Sequence, residues 1–114
     1  MDKYQGLNQL SVRLLERLGN NQPQKEQIEL VTSLLIKVDV QHNLRFDSKL
    51  TPQEICCLLL AAKGKTMKEA ARLLKIETST VQTYHKSIKY KLACSSIAQA
   101  VFEGIRFGHV PLVN

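Results

Sequence analysis

Tryptophan is absent from this 114-residue chain, and aromatic residues make up only 5% of it. The hydrophobic fraction, 44%, is drawn mainly from Leu, Ile, Val and Ala, which suits helix packing better than a β-sandwich and is too high for a disordered chain. Cysteine is scarce: Cys56, Cys57 and Cys94. An odd count with two adjacent members is no disulfide framework and lacks the C-x-x-C spacing of a zinc site. The thiols are expected to be reduced, with Cys57 and Cys94 packing as small apolar groups, which points to a cytoplasmic location. No apolar stretch approaches the ~20 residues of a membrane-spanning helix, and no apolar run follows an N-terminal basic cluster, so no signal peptide is expected. Internal repeats and low-complexity tracts are missing too. So are the Gly-rich phosphate loop, G-x-S-x-G, H-E-x-x-H and a spaced carboxylate pair, which excludes the commoner enzyme classes. Cys94 and His85, nine positions apart on different predicted helices, are no nucleophile–base pair. No metal, cofactor or small-molecule ligand is expected.

Charge is present, and it is unevenly placed. The net charge is +6. Residues 1–48 carry six basic side chains (Lys3, Arg13, Arg17, Lys25, Lys37, Arg45) and six acidic ones (Asp2, Glu16, Glu26, Glu29, Asp39, Asp47). Residues 49–114 carry ten basic side chains against Glu54, Glu69, Glu77 and Glu103. The whole excess lies in the second part. A basic segment joined to a neutral one suggests a polyanion-binding unit with a separate partner.

The apolar periodicity predicts an all-α fold of five or six helices: an N-terminal helical hairpin followed by a C-terminal four-helix domain. In the first helix, Tyr4 to Leu18, Leu7, Leu10, Leu14 and Leu18 share one face, and Gly19 offers the φ > 0 of a helix end. The second helix, Gln24 to Gln41, places Ile28, Val31, Leu35 and Val38 three or four apart, like a coiled-coil seam. With Leu30, Leu34 and Ile36 added, its apolar surface is wider than one short partner helix covers. Dimerisation through Ile28, Val31, Leu35 and Val38 is therefore expected. Residues 42–49 break the period and read as a linker with Phe46 as an anchor. The predicted units are residues 1–48 (hairpin and linker), 49–108 (the basic domain) and 109–114 (a tail).

Signals become dense from Leu50 onward. Thr51-Pro52-Gln53-Glu54 and Thr66-Met67-Lys68-Glu69 are capping boxes. The first opens a helix ending at Gly64 and the second a short helix, Met67 to Leu74, in which Ala70 and Ala71 allow close crossing. After the turn Lys75-Ile76-Glu77 comes a longer helix, Thr78 to Leu92, then a last one from about Ser96 to Phe107. A short helix, a tight turn and a longer polar helix form a helix-turn-helix pattern. The buried face of the longer helix is Val81, Tyr84 or His85, Ile88 and Leu92. Its outer face is Thr78, Ser79, Gln82, Thr83, Lys86 and Lys89, with no carboxylate after Glu77. Hydroxyls at the helix start suit phosphate, and amide and ammonium groups further on suit base edges. An ordinary surface helix more often mixes both charge signs.

The run Leu50-Thr51-Pro52-Gln53-Glu54, Gly64, Lys68-Glu69-Ala70-Ala71, Leu74-Lys75-Ile76, Thr80-Val81-Gln82, Ile88 and Lys91-Leu92 resembles, without a gap over about sixty residues, the LuxR-type (GerE-like) DNA-binding domain. The resemblance implies a bacterial transcription regulator that lays the helix Thr78 to Leu92 in the major groove of double-stranded DNA. Gln82, Thr83 and Lys86 would face bases, while Lys68, Thr78, Ser79, Thr80, Tyr84, Lys89 and Lys91 would meet phosphates. The last helix often adds to dimer contact in that family. The chain departs from the family pattern at Gln53 (usually Arg), Glu77 (Ser), Tyr84 (His) and Ile97 (often Arg). Gln53 is expected to lose an intradomain charge pair, and Glu77 to repel a nearby phosphate. Tyr84 either keeps a phosphate hydrogen bond or packs, and His85 is expected at the surface. The helical N-terminal half is too short for the receiver or ligand-binding domain that usually precedes such a module. The competing reading is a protein-interaction module, an antiactivator that binds another regulator through the same fold.

Overall fold

The computed structural model describes the backbone of residues 5–42 and 50–106, and the side chains of 6–36 and 50–104. The Phe46 linker, the Val38 side chain, the end of the last helix at Phe107 and the tail 109–114 lie outside the described residues. Six helices and no strand make up the described part: α1 (Gln5–Leu18), α2 (Lys25–His42), α3 (Pro52–Ala62), α4 (Met67–Leu74), α5 (Thr78–Leu92) and α6 (Ile97–Arg106).

Helices α1 and α2 form the hairpin, but the buried stripe of α1 is not the predicted leucine row. Leu10 is 51% exposed, whereas Ser11 and Leu15 are fully buried beside Leu14 and Leu18. The stripe is turned toward Ser11 by a polar contact between the helices. The Ser11 hydroxyl lies 2.7 Å from that of Thr32, and Thr32 is also bonded to the Asn8 side chain at 3.0 Å. Buried hydroxyls must be partnered, so this network sets the rotation and register that leucine periodicity left open.

The predicted subunit seam is divided as well. Val31 is fully buried in the core of its own chain, with Leu34 beside it. Ile28 and Leu35 are only partly buried at its edge. Val31 is therefore unable to touch a second subunit, and this corrects its assignment to a dimer surface.

Helix α3 is the hub. Its capping box is complete: the Thr51 side chain accepts the Glu54 N–H at 3.2 Å, and Glu54 accepts the Thr51 N–H at 2.7 Å. Glu54 to Leu60 are all buried without interruption. A helix apolar around its whole circumference must be covered on every side. The hairpin packs on one side of α3, and α4, α5 and α6 pack on the others. The hairpin and the basic half thus both contribute to one hydrophobic core.

Four helices end on a residue with positive φ. Two of these are Gly19 and Gly64, as the sequence predicts, and the other two are Lys75 (φ 56°) and Ala93 (φ 55°). A side chain in the left-handed region costs about 1–2 kcal/mol. Ala93→Gly is accordingly expected to stabilise the fold by about 1 kcal/mol, raising the melting temperature by roughly 4–8 °C. A melt followed by circular dichroism checks this, and an unchanged or lower midpoint counts against strain at Ala93.

Candidate nucleic-acid interface

The second capping box starts α4: Thr66 Oγ1 accepts the Glu69 N–H at 3.1 Å, and Glu69 Oε1 accepts the Thr66 N–H at 2.9 Å. Ala70, Ala71 and Leu74 are buried, so small side chains let α4 cross close to α5. Left-handed Lys75 then reverses the chain, and the Ile76 N–H returns to Ala71 O at 3.0 Å. Glu77 is the N-cap of α5, but its side chain makes no cap hydrogen bond. Among the first N–H groups of α5, that of Thr80 reaches the Glu77 carbonyl at 3.1 Å, and the acidic Glu77 side chain stands at this helix start.

Val81, His85 and Ile88 form the buried face of α5, with Tyr84 and Leu92 partly buried against the core. The open choice between Tyr84 and His85 resolves in favour of His85, which is 8% exposed and not the surface residue expected. Burial, aided by nearby Lys89, lowers its pKa from the ordinary histidine value. Tyr84 is partly buried, packed against the core. Burial, with Cys57 and Glu54 nearby, raises its pKa.

The outward face carries Thr78, Ser79, Gln82, Thr83 and Lys86, all exposed, with Thr80 and Lys89 half-buried at its margins. Lys68 is exposed at the start of α4. The Thr83 hydroxyl donates to Ser79 O at 2.9 Å, so this side chain offers its methyl group and an oxygen acceptor outward rather than a donor. Sequence reasoning missed Tyr90, which is 87% exposed. It follows Gln82 and Lys86 at steps of four, on the same side of the helix, and that spacing was the available signal.

Lys91 is the clearest correction. Its ammonium lies 2.8 Å from Glu54 Oε1, with the lysine side chain 31% and the carboxylate 3% exposed. Glu54 also accepts a hydrogen bond from Ser87. Burial alone raises the Glu54 pKa, but the hydrogen bonds from Lys91, Ser87 and the Thr51 backbone outweigh it and the net shift is downward. Lys91 is therefore an internal counter-ion tying α5 to α3.

The thiols lie apart from this face. Burial, reinforced by the Glu54 charge, pushes Cys57 up to about 12. Cys56 is shifted upward even further by burial and by Cys57. Both remain protonated and pack as small apolar groups, while Cys94 is only partly buried against the core.

Residues 48–103, which contain both helices of the helix-turn-helix and the counter-ion pair, match the family of bacterial regulatory proteins described as the luxR family. This segment, just under half of the chain, is a luxR-family helix-turn-helix domain. Among curated proteins, it is 43% identical over 65 residues to the HTH-type quorum sensing-dependent transcriptional regulator VjbR of Brucella ovis, and equally to those of Brucella abortus and Brucella suis. The similar stretch is 57% of this chain and spans a quarter of the length of each relative. No solved structure matches the chain. Within the LuxR-family segment, the departures Gln53 and Tyr84 are partly buried. Glu77 stands uncapped at the entry to α5, and Ile97 packs partly against the core.

Proposed function

We propose that this protein is a sequence-specific transcription regulator that lays α5 in the major groove of duplex DNA. The observation that carries the reading is the outward stripe of α5, which combines hydroxyl, amide and ammonium groups with no carboxylate after Glu77. Gln82, Thr83 and Lys86 would face base edges, with Thr83 contributing its methyl group and acceptor oxygen. Thr78, Ser79 and Thr80 at the helix start, with Lys68 and Lys89, would hold phosphates. Tyr90 lies about 12 Å along the helix axis from Gln82, close to the width of the major groove, so its hydroxyl suits the far phosphate wall. The excess positive charge of the second half supports the same reading, and the family match favours it over an antiactivator. No helix of the described residues is long and apolar enough to cross a membrane, and a cytoplasmic, non-enzymatic role fits.

Self-association is part of the proposal. With Val31 buried, the surface for a second copy moves to the open groove between α1 and α2 lined by Val12 and Ile28, with Lys25 and Glu29 at its rim. A patch carrying one charge of each sign can oppose its own copy across a two-fold axis. Leu35 extends the apolar edge along α2.

Titrating labelled duplex at two ionic strengths tests the DNA reading. With Lys68 and Lys89 on each of two subunits, roughly four lysine–phosphate contacts predict a loss of affinity of about a hundredfold between 50 and 200 mM salt. Salt-independent binding, or no binding to duplex, would overturn the proposal.

A further inference from the structure

The loop between α1 and α2 holds a polar side chain that the DNA-reading surface does not use. Gly19 closes α1 with φ 109°, and the Asn20 N–H returns to Leu15 O at 2.8 Å. Asn20 is thereby fixed at its backbone, and the residue is 6% exposed. Its Oδ1 accepts the Gln22 N–H at 3.1 Å. Its Nδ2 donates to Leu74 O at 2.9 Å, a buried bond between residues 54 apart in sequence.

Leu74 is the last residue of α4. Carbonyls at a helix end have no partner within the helix, and this one belongs to a residue with no exposed surface. Asn20 supplies the missing donor from the other half of the chain. The next residue is Lys75, in the strained left-handed conformation, and two residues beyond it Glu77 caps α5. Such strain persists only where the surroundings over-determine the backbone. Here the Ile76 N–H bond to Ala71 O holds the turn from one side, and the Asn20 bond holds it from the other. The hairpin also packs on α3 through apolar side chains of the shared core, and such packing is not directional. The bond to Leu74 is directional and lies at the pivot between the two helices of the helix-turn-helix.

We propose that Asn20 is a positioning residue for DNA reading: through the Leu74 carbonyl, the N-terminal hairpin fixes the α4–α5 turn and so the angle at which α5 meets the groove. The proposal rests on the DNA-reading function above. It makes the hairpin a working part of the reading head, because displacing the hairpin removes the donor that holds the turn.

The test uses full-length Asn20→Ala and Asn20→Asp. Aspartate keeps an oxygen for the Gln22 N–H but lacks the donor for Leu74, so it separates the two bonds. Both variants are expected to lose about tenfold in the ratio of affinities for a selected duplex over a scrambled one, the scale of one buried carbonyl left unpaired. Affinity for the scrambled duplex should hold. Amide hydrogen exchange, measured without DNA, should accelerate at Ile76 and Glu77 while protection at Leu58 to Leu60 stays unchanged. Wild-type discrimination in Asn20→Asp would overturn the proposal. So would an equal loss on both duplexes with faster exchange throughout, which marks a merely structural residue. If the wild-type protein itself does not discriminate, the DNA reading fails, and the exchange arm still reports separately whether Asn20 holds the turn.

Discussion

Lys91→Ala is expected to destabilise the fold by about 2–3 kcal/mol, because it leaves the buried Glu54 carboxylate without its counter-ion. This is smaller than for a fully buried pair, since Lys91 is itself 31% exposed and water can partly replace it. The melting temperature should fall by roughly 10 °C or more. The pH dependence identifies the cause. The folded pKa of Glu54 lies below its ordinary value of 4.5, so its stabilisation is complete above the ordinary carboxylate range and is lost as pH falls through the lowered folded value. The gap between wild type and Lys91→Ala should therefore be widest near neutrality and narrow in acid, once Glu54 is protonated in both. An unchanged melting temperature combined with weaker binding to every duplex would return Lys91 to the phosphate ligands.

Gln82→Ala and Lys86→Ala should each reduce discrimination between a selected duplex and its scrambled counterpart by about 1–3 kcal/mol, the range for a bidentate base contact. Both side chains are exposed on α5 and neither belongs to the buried face, so the melting temperature should be nearly unaffected. That separates these positions from Lys91, whose substitution acts first on the fold. Thr83→Ala should have a smaller effect, because its hydroxyl proton is already given to Ser79 O and the substitution removes mainly a methyl contact and an acceptor. Competition binding with single-position operator variants measures all three. Equal weakening on selected and scrambled duplexes would place Gln82 and Lys86 on the phosphate backbone instead.

Much of the helix-turn-helix was legible before the structure. Both capping boxes formed as predicted, and α4 and α5 carry the predicted bounds, Met67–Leu74 and Thr78–Leu92. These features depend on residues three or four apart, a range over which helix geometry is fixed by the backbone itself. The hairpin was less legible. Leucine spacing alone turned α1 toward Leu10, and the structure turns it toward Ser11, whose hydroxyl meets that of Thr32, 21 residues away. Val31 looked like half of a subunit seam, yet it is buried within its own chain. Apolar width on one helix indicates that a partner is needed, not which surface supplies it.

The sequence by itself determined the helical content, the LuxR-family pattern from Leu50 to Leu92, the side on which positive charge collects and the residue types offered to DNA. Each follows from local propensity, short-range periodicity or summed charge. Only the tertiary structure decided which of those side chains remain available. Lys91 and Glu54 are 37 residues apart, and Asn20 and Leu74 are 54 apart. Whether such groups meet depends on how α1, α4 and α5 cross the central α3. Those crossings are set by packing around a core shared by both halves of the chain, and no periodicity in the sequence encodes them.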